Sequence, residues 1–215
     1  MPIIAVGHPK GGAGKTTSTV HLAGEIKPKE AVDLDIHMGL SVIHGLRQED
    51  NQMTVHRPTT AQELVDVLQK FKGSDEFLFV DCGGFDSDMT RTAVALADLL
   101  LVPAKDSLTE RIGLMKFDQV LAEISEIMET NIVGHVFLCK TNPTKKHFPK
   151  MEALLPNLKH LKLMNSRLSS RPQDFEESLE SGYGITESLH GRSTPGGKEV
   201  IAMVEEIRAK LAENK

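Results

Sequence analysis

Eight consecutive residues near the amino terminus have the composition of a loop that binds phosphate. They read Lys-Gly-Gly-Ala-Gly-Lys-Thr-Thr, follow a short apolar run at 3–6 and open a stretch that can form a helix. Glycines at such a turn let backbone N–H groups approach phosphate oxygens, and the positive end of the helix lies behind them. We therefore expect these residues to bind a nucleotide: Lys10, Gly11, Gly12, Ala13, Gly14, Lys15, Thr16 and Thr17.

Two side chains of this loop have specific roles in such a site. Lys15 would neutralise the β- and γ-phosphates and act as a catalytic group, and the Thr16 hydroxyl would reach Mg²⁺. The sequence thus predicts ATP and Mg²⁺ as cofactors. A chance glycine-rich turn is a weak alternative, because strand, glycines, Gly-Lys-Thr and helix follow one another in order.

The loop departs from the usual phosphate-binding pattern, G-x-x-x-x-G-K-[ST]. Pro9 stands where the first glycine would be, and Lys10 adds a second lysine. This resembles the deviant Walker A motif, K-G-G-x-G-K-[ST]-T, of the ParA/MinD family of P-loop ATPases, and it looks most like the small plasmid-partition members. The resemblance implies an ATP-dependent homodimer in which Lys10 is a catalytic group that reaches the phosphates of the partner's ATP.

Further carboxylates follow two predicted strands. Residues 77–81 form an apolar run that ends in Asp81, which has the Walker B form and would contact Mg²⁺, with Gly83 and Gly84 as a flexible switch. By resemblance to the family's D-x-D pattern, Asp35 orients or activates the attacking water, and it joins Thr16 and Asp81 in the predicted metal site. The alternatives are a helix cap for Asp81 and an exposed turn for Asp35.

Weaker candidates lie toward the carboxyl terminus. Family members often contact adenine from the loop after the strand that ends near 139, so the resemblance makes Lys140 and Asn142 candidates for binding the base. A stretch containing Arg171, Phe175, Gly182 and Glu187 loosely resembles that of the small partition ATPases, although a capped surface helix explains it nearly as well. His37 could suggest a metal ligand, but a solvated role is favoured, and no role is assigned to His8.

Composition and charge indicate a globular protein with an uneven surface. The chain has 215 residues, 40% hydrophobic and 26% charged residues and a net charge of −5, which favours one P-loop ATPase domain, 1–215. Residues 140–171 carry eight basic residues and one acid, so this segment is +7 while the rest is −12. Such asymmetry favours a polyanion partner, with random clustering as a near-equal alternative. The candidate DNA contacts are Lys145, Lys146, Lys150, Arg167 and Arg171.

The sequence also limits location. It has no run of 18 apolar residues and no basic-then-apolar leader, which predicts no transmembrane segment and no signal peptide. Two cysteines, Cys82 and Cys139, fit a reducing compartment. We therefore expect a cytoplasmic protein, associated with the nucleoid if it binds DNA.

Apolar strand-like runs alternate with segments of helical period along the chain. The strand-like runs fall at 3–6, 31–34, 77–80, 98–102, 132–139 and about 159–164, and helices with capping boxes begin after Thr60 and Ser107. This alternation predicts an α/β fold, a mostly parallel twisted sheet with helices on both faces. The stretch 43–59 has no clear period and is expected to be an irregular surface excursion.

The leading hypothesis, from the resemblance, is an ATP-dependent switch for plasmid DNA partition. ATP would assemble a sandwich homodimer that binds non-specific DNA, and hydrolysis stimulated by a centromere-binding partner protein would release it. The alternatives are a MinD-like or conjugation-associated ATPase on a membrane or protein scaffold, a binding module without hydrolysis, and a redox protein that uses Cys82. A balanced charge on the terminal helix, about 197–212, counts against a membrane scaffold.

Overall fold

A computed structural model describes residues 2–74, 76–84 and 87–213. Seven strands form one sheet in which every adjacent pair is parallel, in the order β3-β2-β4-β1-β5-β6-β7. The strands are β1 Ile3–Val6, β2 Glu30–Asp33, β3 Thr54–His56, β4 Leu78–Asp81, β5 Leu99–Ala104, β6 Gly134–Thr141 and β7 Leu161–Ser169. The helices are α1 Lys15–Ile26, α2 Gly39–His44, α3 Ala61–Phe71, α4 Asp88–Leu96, α5 Leu108–Ile127, α6 Pro149–Leu154, α7 Pro172–Glu180 and α8 Pro195–Glu213.

Two apolar clusters cover the two faces of this sheet, which confirms the predicted fold class. One cluster joins alternate strand residues such as Ile3 and Ala5 to apolar side chains of α3, α4, α5 and α6. The other joins the intervening residues, Ile4 and Val6, to α1, α2, α7 and α8. The central strands are buried on both faces, so their sequences are continuous apolar runs and do not alternate between apolar and polar residues.

The predicted helix starts are present. The hydroxyls of Thr60 and Ser107 accept hydrogen bonds from the backbone N–H groups of Glu63 and Glu110. In α3, the Glu63 carboxylate accepts a hydrogen bond from Thr59 N at 2.7 Å, one residue before the N-cap. These caps fix where α3 and α5 begin beside the sheet.

The prediction for 43–59 was wrong in part. Strand β3 lies there, on the sheet edge, and the end of α2 and a 3₁₀ turn at Glu49–Asn51 precede it. Strand β3 is three residues long, with Thr54 exposed and Val55 and His56 partly buried, so it is too short to show an apolar period. Strand β7 also runs to Ser169, beyond the predicted end near 164, because its second half is polar and irregularly registered against β6.

Candidate nucleotide and metal site

The glycine-rich loop connects the carboxyl end of β1, a central strand, to the first turn of α1. Gly12 and Gly14 adopt φ of 72° and 99°, a backbone conformation that favours glycine. Gly14 is also the N-cap of α1 and makes no side-chain cap. The first backbone N–H groups of α1 therefore open onto the carboxyl end of the sheet, where parallel α/β proteins bind ligands.

Both lysines of the loop bind backbone carbonyls of their own chain. Lys15 Nζ donates to Lys10 O at 3.1 Å, and its side chain is almost wholly buried. Lys10 Nζ donates to Thr109 O, in the first turn of α5, at 2.8 Å. Two cations thus lie on either side of the loop, where the phosphates of a nucleotide would be placed.

The Walker B candidate lies directly beneath the loop. Asp81 is fully buried and accepts hydrogen bonds from Thr16 Oγ1 at 2.7 Å and Thr19 Oγ1 at 3.2 Å. Burial raises the pKa of Asp81 to about 7, and the nearby Asp33 adds to the rise while Thr16 and Lys15 oppose it. A buried carboxylate beside a hydroxyl is a hard-oxygen donor set that suits Mg²⁺, and a bound cation would favour its charged form.

Asp35 lies in the loop after β2. Asp35 Oδ1 accepts the backbone N–H of His37 at 2.8 Å, and its side chain is half-buried. Asp33, the other carboxylate of the D-x-D pattern, accepts three bonds, from Asp35 N, Ser41 N and Ser41 Oγ. Asp33 therefore shapes the loop and is buried, whereas Asp35 is the more exposed of the two carboxylates.

The Gly83 backbone packs against this loop. A Cβ added to Gly83 would lie 2.5 Å from Leu34 O and 2.8 Å from Asp35 Cα. Leu34 N also donates to Asp81 O at 3.0 Å. The segment after Asp81 is thus in direct contact with the segment that carries Asp35, so a movement of one segment would displace the other.

A cavity lies beside the loop, at the carboxyl ends of β6 and β7. It includes five candidates selected from the sequence: Gly14 and Thr17 of the loop, and Lys140, Arg171 and Phe175. Asn142 is not among the lining residues; its Oδ1 accepts hydrogen bonds from Thr144 N and Oγ1 and closes a local turn. Sequence reasoning missed other lining residues that carry no motif, namely Ser18, His21, Ser169, Ser170, Pro172 and Glu176.

The rest of the loosely matched stretch has a structural role. Glu187 forms a two-point ion pair with Arg47, at 2.8 and 2.9 Å, and Arg47 Nε donates to Gly182 O. Glu187 also accepts from Gly184 N at 2.7 Å. This group ties the segment before α8 to the end of α2 and does not line the cavity.

The basic candidates cluster near the carboxyl end of β6 and β7. Lys145 Nζ lies 2.5 Å from Asp106 Oδ2, Arg167 donates to Pro143 O and Lys145 O, and Arg171 pairs with Glu199. Lys146 and Lys150 are exposed. The +7 segment is divided, since Lys159 and Lys162 lie at the amino end of β7, opposite the loop.

The cysteines and histidines bear on the other sequence hypotheses. Cys139 Sγ donates to Ala13 O at 2.8 Å, and burial raises the pKa of both Cys82 and Cys139 to about 12. Both thiols are therefore protonated at neutral pH, and Cys139 holds the phosphate loop.

No cluster of three or more His, Cys, Asp or Glu side chains that could hold a metal occurs within 2–74, 76–84 and 87–213, so His37 lies in no such group. In the same ranges no helix is long and apolar enough to cross a bilayer.

His8, which sequence reasoning left without a role, belongs to the loop. His8 Nδ1 accepts the backbone N–H of Lys10 at 3.0 Å, and His8 Nε2 lies 3.1 Å from Glu110 Oε2. Burial lowers the pKa of His8 to about 4, so its ring is neutral at physiological pH. Only its position two residues before Lys10 could have indicated this contact from the sequence.

Comparison with known proteins agrees with the fold. Residues 4–212 match the family described as the CobQ/CobB/MinD/ParA nucleotide binding domain. A ParA protein of Rhizobium radiobacter is 28% identical over 148 residues, which span 66% of this chain and 66% of that protein, just under two thirds of its length.

Solved structures share the fold at low identity. McdA of Cyanothece in complex with ATP has a TM-score of 0.74 at 14% identity, covering 97% of this chain and 96% of that one. A plasmid partition protein of Borrelia burgdorferi bound to AMPPNP has a TM-score of 0.69 at 14% identity, covering 97% and 99%. MinD of Pyrococcus furiosus has a TM-score of 0.68 at 18% identity, covering 97% and 98%.

Proposed function

The chain belongs to the CobQ/CobB/MinD/ParA family of nucleotide-binding domains, and we propose that it is an ATP-dependent switch for DNA partition. In this proposal residues 1–215 are one ATPase domain that binds ATP and Mg²⁺, forms a homodimer with ATP and then binds DNA without sequence preference. Slow hydrolysis, stimulated by a centromere-binding partner protein, releases the DNA. The protein would then spend its ATP-bound time on the nucleoid.

The observation that carries the proposal is the arrangement of the two loop lysines. Lys15 is buried against the loop interior, whereas Lys10 lies at the rim on the first turn of α5. A lysine at the rim can leave its carbonyl partner for a phosphate outside its own loop at the cost of one exposed hydrogen bond. This supports the role of Lys10 on the nucleotide of a second subunit.

The hydrolysis step assigns work to four residues. Lys15 would neutralise phosphate charge, and Thr16 and Asp81 would hold Mg²⁺, which would supply positive charge to offset that on the phosphates. Asp35 would orient the attacking water through its partly exposed carboxylate or accept its proton. The contact between Gly83 and the Asp35 loop supports a link between the occupied metal site and the water-positioning group.

An apolar strip next to Lys10 supports the homodimer. Leu108, Ile112 and Met115 recur at helical spacing along α5 and are 64%, 43% and 42% exposed. Exposed apolar side chains at such spacing indicate a contact surface. Because Thr109, which holds Lys10, lies on the same turn as Leu108, the strip would meet the partner subunit when Lys10 does.

DNA binding is proposed for the basic residues at the carboxyl end of β6 and β7. Lys146 and Lys150 are exposed there, and Lys145 is paired with Asp106. Contacts of this kind neutralise phosphates and give salt-dependent binding without sequence preference. Arg167 and Arg171 are held by a hydrogen bond to Pro143 O and an ion pair with Glu199 in the same chain. In this proposal they stabilise the shape of the basic surface as well as adding to its charge.

Charge reversal tests this mapping. We expect the double change Lys145→Glu and Lys146→Glu to weaken binding of a random-sequence duplex at least tenfold at one fixed low salt concentration, as expected for lost phosphate contacts, and to leave ATP turnover unchanged. The matched control is Lys159→Glu with Lys162→Glu, the same charge change at the opposite end of β7. Equal losses in both double variants would show a net-charge effect and would remove the proposed DNA surface.

A further inference from the structure

His8 is a fully buried residue that the proposed chemistry does not use. It lies two residues before Lys10, the first residue of the loop, and both ring nitrogens face polar atoms: Nδ1 accepts from Lys10 N, and Nε2 lies 3.1 Å from Glu110 Oε2. The second pair is close enough for a hydrogen bond but poorly aligned. Glu110 is itself buried in the first turn of α5. The two side chains thus join the start of the phosphate loop to that helix.

Lys10 forms three hydrogen bonds at the point where the loop meets α5. Its N–H is bound by His8 Nδ1, its carbonyl accepts from Lys15 Nζ, and its ammonium donates to Thr109 O. The next two residues are glycines whose added Cβ would meet nothing within 4 Å. Because neither glycine packs against other atoms, the hydrogen bond to His8 restrains the orientation of the peptide that carries the Lys10 N–H.

The tautomer of His8 follows from this geometry. A ring nitrogen that accepts a hydrogen bond carries no proton, so the neutral ring has its proton on Nε2, which faces the Glu110 carboxylate. Without an acceptor near Nε2, the proton could move to Nδ1 and would then oppose the Lys10 N–H. Glu110 therefore keeps Nδ1 available as an acceptor.

We propose that His8 and Glu110 are positioning residues that hold the Lys10 peptide in the orientation in which the loop binds ATP. The inference rests on the ATP binding proposed above. If the acceptor is lost, the Lys10 N–H turns toward water and the loop spends most of its time in other conformations. The apparent dissociation constant then rises by the inverse of the competent fraction.

Two variants of nearly equal shape separate the acceptor from simple packing. His8→Asn keeps an acceptor oxygen at the δ position, whereas His8→Leu has a similar branched outline and no acceptor. We expect His8→Leu to raise the dissociation constant of ATP, measured by calorimetry, about tenfold, which corresponds to about 1.4 kcal/mol. We expect His8→Asn to stay within about threefold of the unmodified protein, since the acceptor is kept.

Glu110 provides an independent test that leaves His8 in place. Glu110→Gln keeps an acceptor for Nε2–H and should bind ATP as the unmodified protein does. Glu110→Met has a similar length and no strong acceptor, and it should reproduce the loss seen with His8→Leu. Ser107→Ala is the control for helix capping, because it removes the cap of α5 and leaves the His8–Glu110 pair; its ATP affinity should be unchanged.

Positioning and mere stabilisation give different results. Positioning predicts that the affected variants raise the KM for ATP while kcat at saturating ATP stays within about threefold. Equal ATP affinity for His8→Leu and His8→Asn, or a loss that follows only the melting temperature, would overturn the inference. If the unmodified protein fails to bind ATP, that result contradicts the proposed function itself, and the inference, which depends on ATP binding, is contradicted as well. If His8→Leu does not fold, the comparison of Glu110→Gln with Glu110→Met tests the inference in its place.

Discussion

Neutralising Asp81 should stabilise the nucleotide-free protein while removing a ligand of the proposed metal site. Burial holds the pKa of Asp81 at about 7, against 3.8 for the free side chain. Because the folded-state pKa is raised, the folded protein binds the proton more tightly than the unfolded chain, and stability is lost as pH rises through 7. With 1.36 kcal/mol per pKa unit, ionising this carboxyl disfavours the folded state by about 4 kcal/mol at pH 8 and about 2 kcal/mol at pH 5.

Asp81→Asn removes that cost and keeps an acceptor for the Thr16 hydroxyl. We expect the free energy of unfolding at pH 8 to rise by up to about 4 kcal/mol, which for this chain length is a melting temperature higher by roughly 8–15 °C. Thermal unfolding with EDTA and no nucleotide, at pH 8 and pH 5, measures the effect. The gain should shrink by about half at pH 5, and Mg²⁺ should no longer promote ATP binding.

The neighbouring Asp33 is the matched control. It accepts three hydrogen bonds from the loop after β2, so Asp33→Asn should destabilise the protein by about 1 kcal/mol. Opposite signs for two adjacent carboxylates cannot come from a general charge effect. A loss of stability in Asp81→Asn at pH 8, or a gain equal at both pH values, would refute the reasoning from burial.

The two loop lysines and Asp35, the proposed water-positioning carboxylate, can each be tested by an alanine substitution. Lys15→Ala should weaken ATP binding about 10- to 100-fold by calorimetry, since it removes a charge-assisted phosphate contact; unchanged affinity would contradict its role. Asp35→Ala should bind ATP and dimerise but hydrolyse it at least about 100-fold more slowly in a phosphate-release assay, and normal turnover would assign the water to another group. Lys10→Ala should bind ATP as a monomer by sedimentation velocity, and an ATP-dependent dimer would show that Lys10 does not act across the interface.

The central strands and the glycine-rich turn between β1 and α1 could be predicted from the sequence because each has a strong local signal. Residues 3–6 and 78–81 are buried on both faces and appear as continuous apolar runs, and the glycines and lysines of the loop occur at a spacing that few other structures need. The helix starts at Thr60 and Ser107 could be predicted equally well, because a capping side chain lies within three residues of the backbone N–H that it binds.

The missed features depend on contacts between distant parts of the chain. His8 meets Glu110, and the cavity brings the loop together with Ser169 and Pro172, pairings that no local pattern records. Strand β3 was missed because an exposed edge strand needs no apolar period. The charge cluster 140–171 was real in sequence but is divided between two ends of the sheet, because β7 crosses the sheet from one end to the other.

The central claim is that ATP controls binding to DNA. It is tested most directly by titrating the unmodified protein with a random-sequence DNA duplex at one low salt concentration, once with Mg²⁺-ATP and once with Mg²⁺-ADP. Tight binding with ATP and weak binding with ADP is the predicted result. Equal binding in both states, or none in either, would contradict the partition switch and would favour a protein or membrane scaffold for the same ATPase site.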